Sequence, residues 1–388
     1  MNDEATPLAP EVLLASVEAP VETPVEAATP AGLRMLRRVL PDSPRSLLLV
    51  VRRLGWWVVA YAAALVIFGV FVETSHVSAI PMYRAMWDQT IGSGYGIGQA
   101  LDLAGVFILS AMAVAVPARA GLTNIGGEGQ VVMGLTAAGG VTIALGPHVT
   151  GLPAMILMAL AAAAAGAAWA AIAGLLKLAA GVNEAISTLL LNYVAADVLS
   201  YLVYGPWQSA QGNGQPVSAA MPSADFLPSL PGLQAHIGIV IAVALTVVVA
   251  LVLSRTTWGF SLRTVGGNQA AARRAGLRVA ALTFSAMLVG GALAGLGGMI
   301  QYAGLEGQLR PGLAATFGYT GFLASWLARH RPSRVIIAAA VLALLSVAGD
   351  ALEISSGLSG GAVDVLMAII LFVVLGKKDK KESSGAAK

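Results

Sequence analysis

Apolar runs, each separated from the next by a short polar segment, occupy most of the chain between residues 54 and 375. Each run is near the ~20 residues that an α-helix needs to cross a bilayer. The backbone inside a bilayer must satisfy its own hydrogen bonds, so we interpret each run as a transmembrane helix. The pattern predicts an all-α polytopic membrane protein with about ten transmembrane helices, at residues 54–72, 96–117, 128–146, 152–176, 184–204, 236–254, 281–300, 314–328, 335–353 and 361–375.

The segments before and after the apolar part have a different composition. Residues 1–32 contain six carboxylates and no Lys or Arg, and such a segment cannot bury a core, so we expect it to be disordered. Six arginines follow before the first apolar run. We therefore divide the chain into an acidic then basic cytoplasmic N-terminal segment (1–53), a transmembrane domain (54–375) and a basic cytoplasmic tail (376–388). A cleaved signal peptide is the alternative for the first run, but its charged region would be far too long.

The distribution of basic residues supports this arrangement. If the N-terminus lies inside, 21 of the 23 Lys and Arg residues fall inside, and only Arg84 and Arg310 fall outside. The positive-inside rule predicts such a bias for a correct topology. We therefore expect a multi-pass protein of a bacterial-type inner (cell) membrane, with both termini cytoplasmic.

Composition excludes several classes of function. The chain is 57% hydrophobic and 11% charged, whereas a soluble domain carries roughly 25% charged residues. It has no cysteine, so disulfides and thiolate chemistry are excluded, and its four histidines are scattered, so we expect no metal site. It lacks a Walker A motif. We therefore expect no catalytic residues, no cofactor on this chain and no nucleic-acid partner.

Polar residues and glycines are concentrated at residues 117–130, between two apolar runs. An ionisable residue in such a place indicates a functional site, because desolvating its charge is unfavourable by several kcal/mol. Glycines let the backbone leave helical geometry and approach a ligand closely. The alternative is a cytoplasmic turn in which the carboxylate of Glu128 caps the next helix. The spacing of the residues does not decide between a functional site and a turn. The candidate pathway residues of this stretch are Asn124, Gly126, Gly127, Glu128 and Gln130.

A second polar stretch, residues 183–193, opens the fifth predicted span. On a helix, Glu184, Thr188 and Asn192 fall within an arc of about 80°, and so narrow a polar stripe should face protein or water. A capping role for Asn183, with Glu184 near the helix dipole, would explain the start of the helix but not the amide two turns deeper. We favour a stripe of Glu184, Thr188 and Asn192 that faces the substrate pathway, with Asn183 as a further candidate beside it.

Aromatic residues with neighbouring hydroxyls lie between residues 314 and 328. Tyr319 and Phe322 are candidates to stack on a planar ligand. Packing between helices is the more frequent use of such residues and remains the alternative.

Carboxylates also lie near the predicted outer ends of spans, where water is close and a charge is tolerated. They are Asp102, Asp197, Asp350, Glu353 and Asp364. We assign no function to most of them.

Two loops are longer than a turn. Residues 205–235 form the predicted external loop, which is polar and rich in Pro and Gly, and residues 255–280 form an inner loop with five arginines. Helix-forming residues from 268 to 275 are flanked by glycines on both sides, which predicts a short surface helix. Composition alone favours an ordinary basic cytoplasmic loop.

Three stretches together resemble one family: GLTNIGGEGQ (121–130), GVNEAISTLLLNY (181–193) and WGFSLRTVGGNQAAARRAGL (258–277). They are similar to the permease subunits of ABC importers in the branched-chain amino acid, ribose and nucleoside class. The resemblance covers roughly residues 50–375. The first two stretches resemble the nucleoside permeases most, since ribose permeases carry a different, acidic Gly-rich stretch at the first position.

This resemblance implies the ABC importer permease fold and a set of partners. A full importer contains two permease subunits, two ABC ATPase subunits that hold ATP and Mg, and an external substrate-binding lipoprotein. In the nucleoside branch the second permease is usually a different but similar chain. The resemblance also makes the inner loop the segment that docks into the ATPase, which replaces the interpretation from composition. The implied coupling residues are Gly267, Asn268, Ala271, Ala272, Arg273, Arg274 and Gly276.

The expected function is that of a transmembrane permease subunit of an ATP-driven importer, which takes up nucleosides delivered by an external binding protein. The chain itself is not expected to be an enzyme. One alternative is a permease of the same family that imports a sugar or a branched-chain amino acid. Another is an ion-coupled secondary transporter in which Glu128 and Glu184 handle ions, although the inner loop then has no role. A membrane scaffold without transport activity is disfavoured by the polar stripe.

Overall fold

The computed structural model describes residues 59, 62–74, 76–146, 148–210, 212, 214–313, 316–356 and 361–375. Within these residues the chain is built of helices joined by turns and loops, and the predicted all-α fold class is confirmed. The predicted N-terminal segment (1–53) and the basic tail (376–388) lie outside the described residues, so the expectations for them stay predictions.

We number the α-helices of the described residues in chain order. They are α1 Ala62–Thr74, α2 Ala79–Gln89, α3 Gly94–Ala118, α4 Gly127–Leu145, α5 Leu152–Ala180, α6 Glu184–Tyr204, α7 Gly238–Arg255, α8 Thr257–Gly267, α9 Gln269–Arg274, α10 Val279–Gln301, α11 Phe317–Leu327, α12 Pro332–Ser356 and α13 Gly361–Leu375. A π-helical turn, Tyr302–Glu306, continues α10. The side chains of Ser93, Asn183 and Thr256 accept backbone N–H groups at the starts of α3, α6 and α8, which explains why these helices begin there.

Seven of the described helices are long and apolar enough to cross a membrane: α3, α4, α5, α6, α7, α10 and α12. The helices α1 and α2 meet at an angle of 115°, and they add an eighth span if the bent pair counts as one. The chain is therefore a multi-pass membrane protein. The predicted spans at 314–328 and 361–375 contain helices of only 11 and 15 residues, so the count of ten is not confirmed.

The helix α3 forms the centre of the fold. Every residue from Ala104 to Pro117 is buried, because α7, α10, α11 and α12 all pack around this part of it. A helix that is apolar on all sides is expected to be enclosed in this way. The end of α3 therefore provides a fixed base for the polar segment that follows it.

Small residues allow α5 and α10 to cross with their backbones in contact. A Cβ atom at Gly295 would overlap the carbonyl oxygen of Ala162, and one at Gly166 would overlap that of Gly291. Such close approach is typical of helix pairs in membranes, where packing replaces the hydrophobic effect as the source of stability. Gly291 and Gly295 of α10 have the GxxxG spacing that is typical of such close helix pairs.

The predicted external loop is packed against the end of α10. The backbone N–H groups of Met221 and Leu227 donate hydrogen bonds to the carbonyl oxygens of Gly307 and Ala303, at 2.8 Å each. At the end of this loop, the backbone N–H of His236 donates to the buried carboxylate of Asp102, at 2.8 Å. The loop is therefore part of the folded structure at this end of the helices.

The proposed orientation can be tested with single cysteines, because the chain has none of its own. Ser223 is exposed in the loop between α6 and α7, and Ala270 is exposed in α9. We expect a membrane-impermeant maleimide to label Ser223→Cys in intact cells. The same reagent should label Ala270→Cys only after the membrane is opened, and the reverse pattern would refute the orientation.

Candidate functional site

The polar stretches identified in the sequence meet around one non-helical segment. Residues 119–126 join α3 to α4, and they lie against the starts of α4 and α6. The start of α11 joins them from far along the chain through Glu128. Irregular backbone within a membrane protein requires such polar neighbours, because lipid cannot satisfy its N–H and C=O groups.

Glu128 connects α4 to α11. Its side chain is buried, with 6% of its surface exposed. One carboxylate oxygen accepts the backbone N–H of Thr316 at 2.9 Å, and the other accepts that of Gly318 at 2.6 Å. Glu128 thus lies in the first turn of its own helix but satisfies the free N–H groups of another. The positive N-terminal ends of both helices stabilise the negative charge that it carries when ionised.

The start of α11 has an unusual backbone that depends on this contact. Thr316 has a φ angle of +84°, a left-handed conformation that is unfavourable for a β-branched residue. At Gly318 a Cβ atom would overlap the backbone of Glu128, so a residue without a side chain is required there. The bonds to the carboxylate hold this strained turn in place.

Asn124 and Gln130 form a second, fully buried part of the site. Their side-chain amides bond to each other in both directions, at 3.1 and 3.2 Å. The Asn124 amide also donates to the carbonyl of Ala113 in α3 and accepts the backbone N–H of Gly126, each at 3.0 Å. The pair therefore fixes the chain between α3 and α4.

The polar stripe of α6 faces this same segment. The Asn192 side chain accepts the N–H of Gly129 at 2.9 Å and donates to the carbonyl of Ile125 at 3.0 Å and to the hydroxyl of Tyr319 at 3.2 Å. The Thr188 hydroxyl accepts the N–H of Ile125 at 3.2 Å. The prediction that this stripe would face protein or water is confirmed, since it faces protein.

The first turn of α6 joins α5 to the segment. Asn183 caps α6 by accepting the N–H of Ala185 at 2.8 Å. The carboxylate of Glu184 accepts a hydrogen bond from Nζ of Lys177 at 2.5 Å and another from the backbone N–H of Thr123 at 3.2 Å. Asn183 therefore takes the capping role that the sequence left open, whereas Glu184, in the first turn of α6, forms an ion pair with Lys177 that the sequence analysis did not include.

The candidate pathway residues thus differ in their surroundings. The buried polar side chains, which are Asn124, Glu128, Gln130, Thr188 and Asn192, all bond within the chain. Gly126 and Gly127 contribute backbone at the start of α4, and Gly127 lies against Gly318. Tyr319 and Phe322 are only partly buried, and Phe322 packs on Trp326 with ring centroids 5.9 Å apart. Asn183 is exposed and Glu184 is partly exposed at the start of α6, so these two residues and the two aromatic residues are the members of the set with side-chain surface open to a ligand.

The inner loop contains the short helix that the sequence predicts. Asn268 caps α9 by accepting the N–H of Ala271 at 3.0 Å, and Gly276 ends it with a φ angle of +81°. Most of the coupling residues are exposed, namely Gly267, Asn268, Ala271, Arg273, Arg274 and Gly276. Ala272 is buried against its own chain, so its methyl group holds α9 in place and cannot enter a groove on a partner.

This loop also contacts the polar segment directly. Gly266, at the end of α8, packs against the backbone of Arg119 and Gly121. A Cβ atom at Gly266 would overlap the carbonyl oxygen of Arg119 and would lie close to the backbone nitrogen of Gly121. The Arg119 guanidinium donates to the carbonyl of His330 at 2.9 Å. Burial lowers the pKa of the His330 imidazole, and the nearby positive charge of Arg119 lowers it further, so the ring stays neutral. The C-terminal ends of α3, α8 and α11 therefore meet at one point.

A cavity that the sequence did not reveal lies towards the N-terminal ends of α3 and α11, opposite to this meeting point. It has a volume of about 510 Å³ and is lined by α3, α10, α12 and α13 and by the turn before α11. Thr316 and Phe317 form part of its wall. The carboxylate of Glu128 thus supports one wall of this cavity through the N–H of Thr316.

The contact between Glu128 and α11 can be tested by Glu128→Gln. A glutamine presents only one oxygen, so one of the two N–H groups would face an NH₂ group, and the charge would be lost. We expect the free energy of unfolding to fall by about 2–3 kcal/mol, seen as a lower Tm of the purified permease. Glu73→Gln, at the exposed end of α1, is the matched control and should leave the Tm unchanged. Equal Tm values for the two variants would contradict this role.

Comparison with known proteins gives a consistent result. The family described as the permease component of the branched-chain amino acid transport system matches residues 96–375. The chain is 35% identical to the glucose ABC transporter permease protein TsgB13 of Haloferax volcanii, over 86% of this chain and 90% of that one. It is 33% identical to the guanosine ABC transporter permease protein NupP of Bacillus subtilis, over 77% and 89%. It is 27% identical to the nucleoside ABC transporter permease protein NupB of Lactococcus lactis, over 75% and 82%.

No solved structure shows a significant match to the chain. The family match covers the polar segment, the inner loop and the cavity, so it includes every part of the site described above. The chain belongs to the family of ABC transporter permeases described as the permease component of the branched-chain amino acid transport system.

Proposed function

We propose that this chain is the permease subunit of an ATP-driven importer of nucleosides, which an external substrate-binding protein delivers. The two relatives named for guanosine and for nucleosides support this proposal, as do the stretches 121–130 and 181–193. Glucose import is the second candidate, because the relative named for glucose is 35% identical over 86% of the chain.

The observation that carries the proposal is a continuous series of contacts from the inner loop to the cavity. The end of α8 lies on the turn at Arg119, and this turn leads into the bonded pair of Asn124 and Gln130. Glu128, two residues before that glutamine, holds the start of α11 at the cavity wall. A permease requires such a connection, because ATP is hydrolysed on one side of the membrane and the solute arrives on the other.

In the proposed cycle, closure of the ATPase dimer displaces α9 and with it the end of α8. The polar segment is the pivot that transmits this displacement to α6 and α11. Because the buried amides and carboxylate already bond within the chain, we propose that they support the pathway surface. Tyr319 and Phe322, which are partly exposed beside them, are proposed to line the pathway between the cavity and the inner side. Interfaces with two discrete arrangements are the usual means by which small shifts become large ones.

A second permease subunit is proposed to cover α6. One side of α6 is exposed and carries Tyr193, Asp197, Tyr201 and Tyr204, which fall within an arc of about 80°. Asp197 lies about 10 Å from the end of the helix, and no other described residue forms an ion pair or hydrogen bond with its carboxylate. A charge is unfavourable against lipid, so this side should face protein or water.

Labelled solute uptake tests the substrate. Cells that express the whole importer should take up labelled guanosine, and deletion of this permease should abolish that uptake while an unrelated transporter in the same cells keeps its rate. Loss of glucose uptake with unchanged guanosine uptake would refute the nucleoside proposal and support the glucose candidate.

The docking of α9 is tested by Ala271→Trp. The small exposed methyl group of Ala271 would be replaced by a ring that a closely packed interface cannot hold. We expect the variant permease to be inserted in normal amounts but to lose both solute uptake and copurification of the ATPase.

Ala210→Trp, an exposed position in the loop between α6 and α7, is the matched control and should retain both. Normal uptake and normal copurification in Ala271→Trp would show that the inner loop is only a basic connection.

A further inference from the structure

The cavity at the ends of α3, α10, α12 and α13 has the form of a ligand site. Its volume of about 510 Å³ lies within the ~300–1,000 Å³ of typical small-molecule pockets. Arg310, Asp350 and Asp364 are exposed, whereas Gln301 and Phe107 are buried, so the cavity extends from the surface into the interior of the helix bundle.

The wall of the cavity contains a buried amide, that of Gln301, whose oxygen has no hydrogen-bond donor among the described residues. The side chain of Gln301 has 3% of its surface exposed, and its amide oxygen has no hydrogen-bond partner among the described residues. Its amide nitrogen donates to Glu306 at 3.2 Å, and Glu306 pairs with Arg310 at 3.1 Å. A buried oxygen without a hydrogen-bond partner is unfavourable, so a hydroxyl donor that reaches this oxygen from the cavity would stabilise it.

The inner end of the cavity is aromatic. The rings of Phe107 and Phe317 have centroids 6.0 Å apart and are tilted by 55°. Phe317 is partly exposed whereas Phe107 is buried, so the apolar surface next to the polar groups is mainly that of Phe317. It suits a ligand with one flat apolar side and several hydroxyls.

The charges of the cavity select against anions. Three carboxylates, those of Glu306, Asp350 and Asp364, line it together with the single guanidinium of Arg310. Carboxylates accept hydrogen bonds from hydroxyl groups but repel phosphate. A neutral polyhydroxylated solute fits this arrangement, whereas its phosphorylated form does not.

We infer that this cavity binds the sugar ring of the transported solute, with hydroxyl groups on Gln301 and the carboxylates and with the planar base against Phe317. The inference rests on the proposed function and adds the site at which the solute is held. The chemistry shared by a nucleoside and a hexose is the hydroxylated ring, and the aromatic pair favours the nucleoside.

The test is protection of a thiol placed in the cavity wall. Ser346 lines the cavity, and Ser346→Cys would be the only thiol of the permease. The reagent is an impermeant maleimide, applied to membranes with the complete permease–ATPase complex but without the substrate-binding protein, which could otherwise cover the opening. At about ten times the half-protecting concentration, guanosine should slow the labelling about tenfold.

Two controls make the result specific. Guanosine should not slow the labelling of Ser223→Cys, which is exposed in the loop between α6 and α7. Guanosine monophosphate should not protect Ser346→Cys, because the carboxylates repel its phosphate. Equal protection by the monophosphate and the nucleoside would overturn the assignment of the charges.

The two proposals fail separately. If the cells import guanosine but guanosine gives no protection, the cavity inference is overturned and the function stands. If the cells import glucose instead and glucose protects, the nucleoside proposal fails and the cavity remains the site of the hydroxylated ring.

A second variant tests the contact with the hydroxyls. In Asp350→Asn, the preference for guanosine over 2′,3′-dideoxyguanosine should fall by about tenfold relative to the parent importer, since a charged acceptor of hydroxyl groups is lost. The binding protein is the same in both strains, so its own preference cancels in this ratio. Asp88→Asn, an exposed carboxylate of α2 outside the cavity, should leave the ratio unchanged. An unchanged ratio in Asp350→Asn would overturn the assignment of this carboxylate.

Discussion

The carboxylate of Glu128 lies between the N-termini of two helices, and the arrangement of the site depends on it. A charge at this depth is unfavourable in lipid, and here two backbone N–H groups of α11 and the dipoles of α4 and α11 compensate it. The same contact explains the left-handed turn at Thr316 and the need for a glycine at position 318. Without the carboxylate, α11 would have free N–H groups and a strained start.

The remaining polar residues extend this contact in both directions. The amide pair of Asn124 and Gln130 joins it to α3, and Asn192 joins it to α6. The inner loop touches the same segment at Gly266. Polar residues inside a transporter are usually first considered as ligands of the solute. In this permease most of them hold helices together at a junction, and the surfaces open to a ligand lie beside it.

Much of this site was predictable from local patterns, and the rest was not. Charges and glycines within apolar runs are visible in the sequence, and so is the helix α9 between its glycines. The sequence did not decide whether Glu128 caps a helix, because its partners are the N–H groups of Thr316 and Gly318, almost two hundred residues further on. Hydropathy also did not show that α11 is short. The helix begins only after the left-handed turn at Thr316, and that turn depends on the same distant contact with Glu128.

The cavity was missed for a related reason. Its walls come from three parts of the chain that are distant in sequence, namely α3, the end of α10 with the start of α11, and the pair α12 and α13, and no sequence motif marks the residues that line it. One signal was present, since Arg310 is one of only two basic residues predicted outside. Ala272 shows that composition also cannot tell buried from exposed positions within one short helix. It lies among alanines that are exposed, but the turn of α9 directs its methyl group into its own chain.

Hydrogen exchange at two amides tests the central claim most directly. In the purified permease, the N–H groups of Thr316 and Gly318 donate to Glu128 and should therefore be protected from exchange. In Glu128→Gln we expect faster exchange of these amides, with unchanged exchange in α5, which does not contact the carboxylate. Equal protection of the start of α11 in both proteins would contradict the claim that Glu128 holds α4 and α11 together.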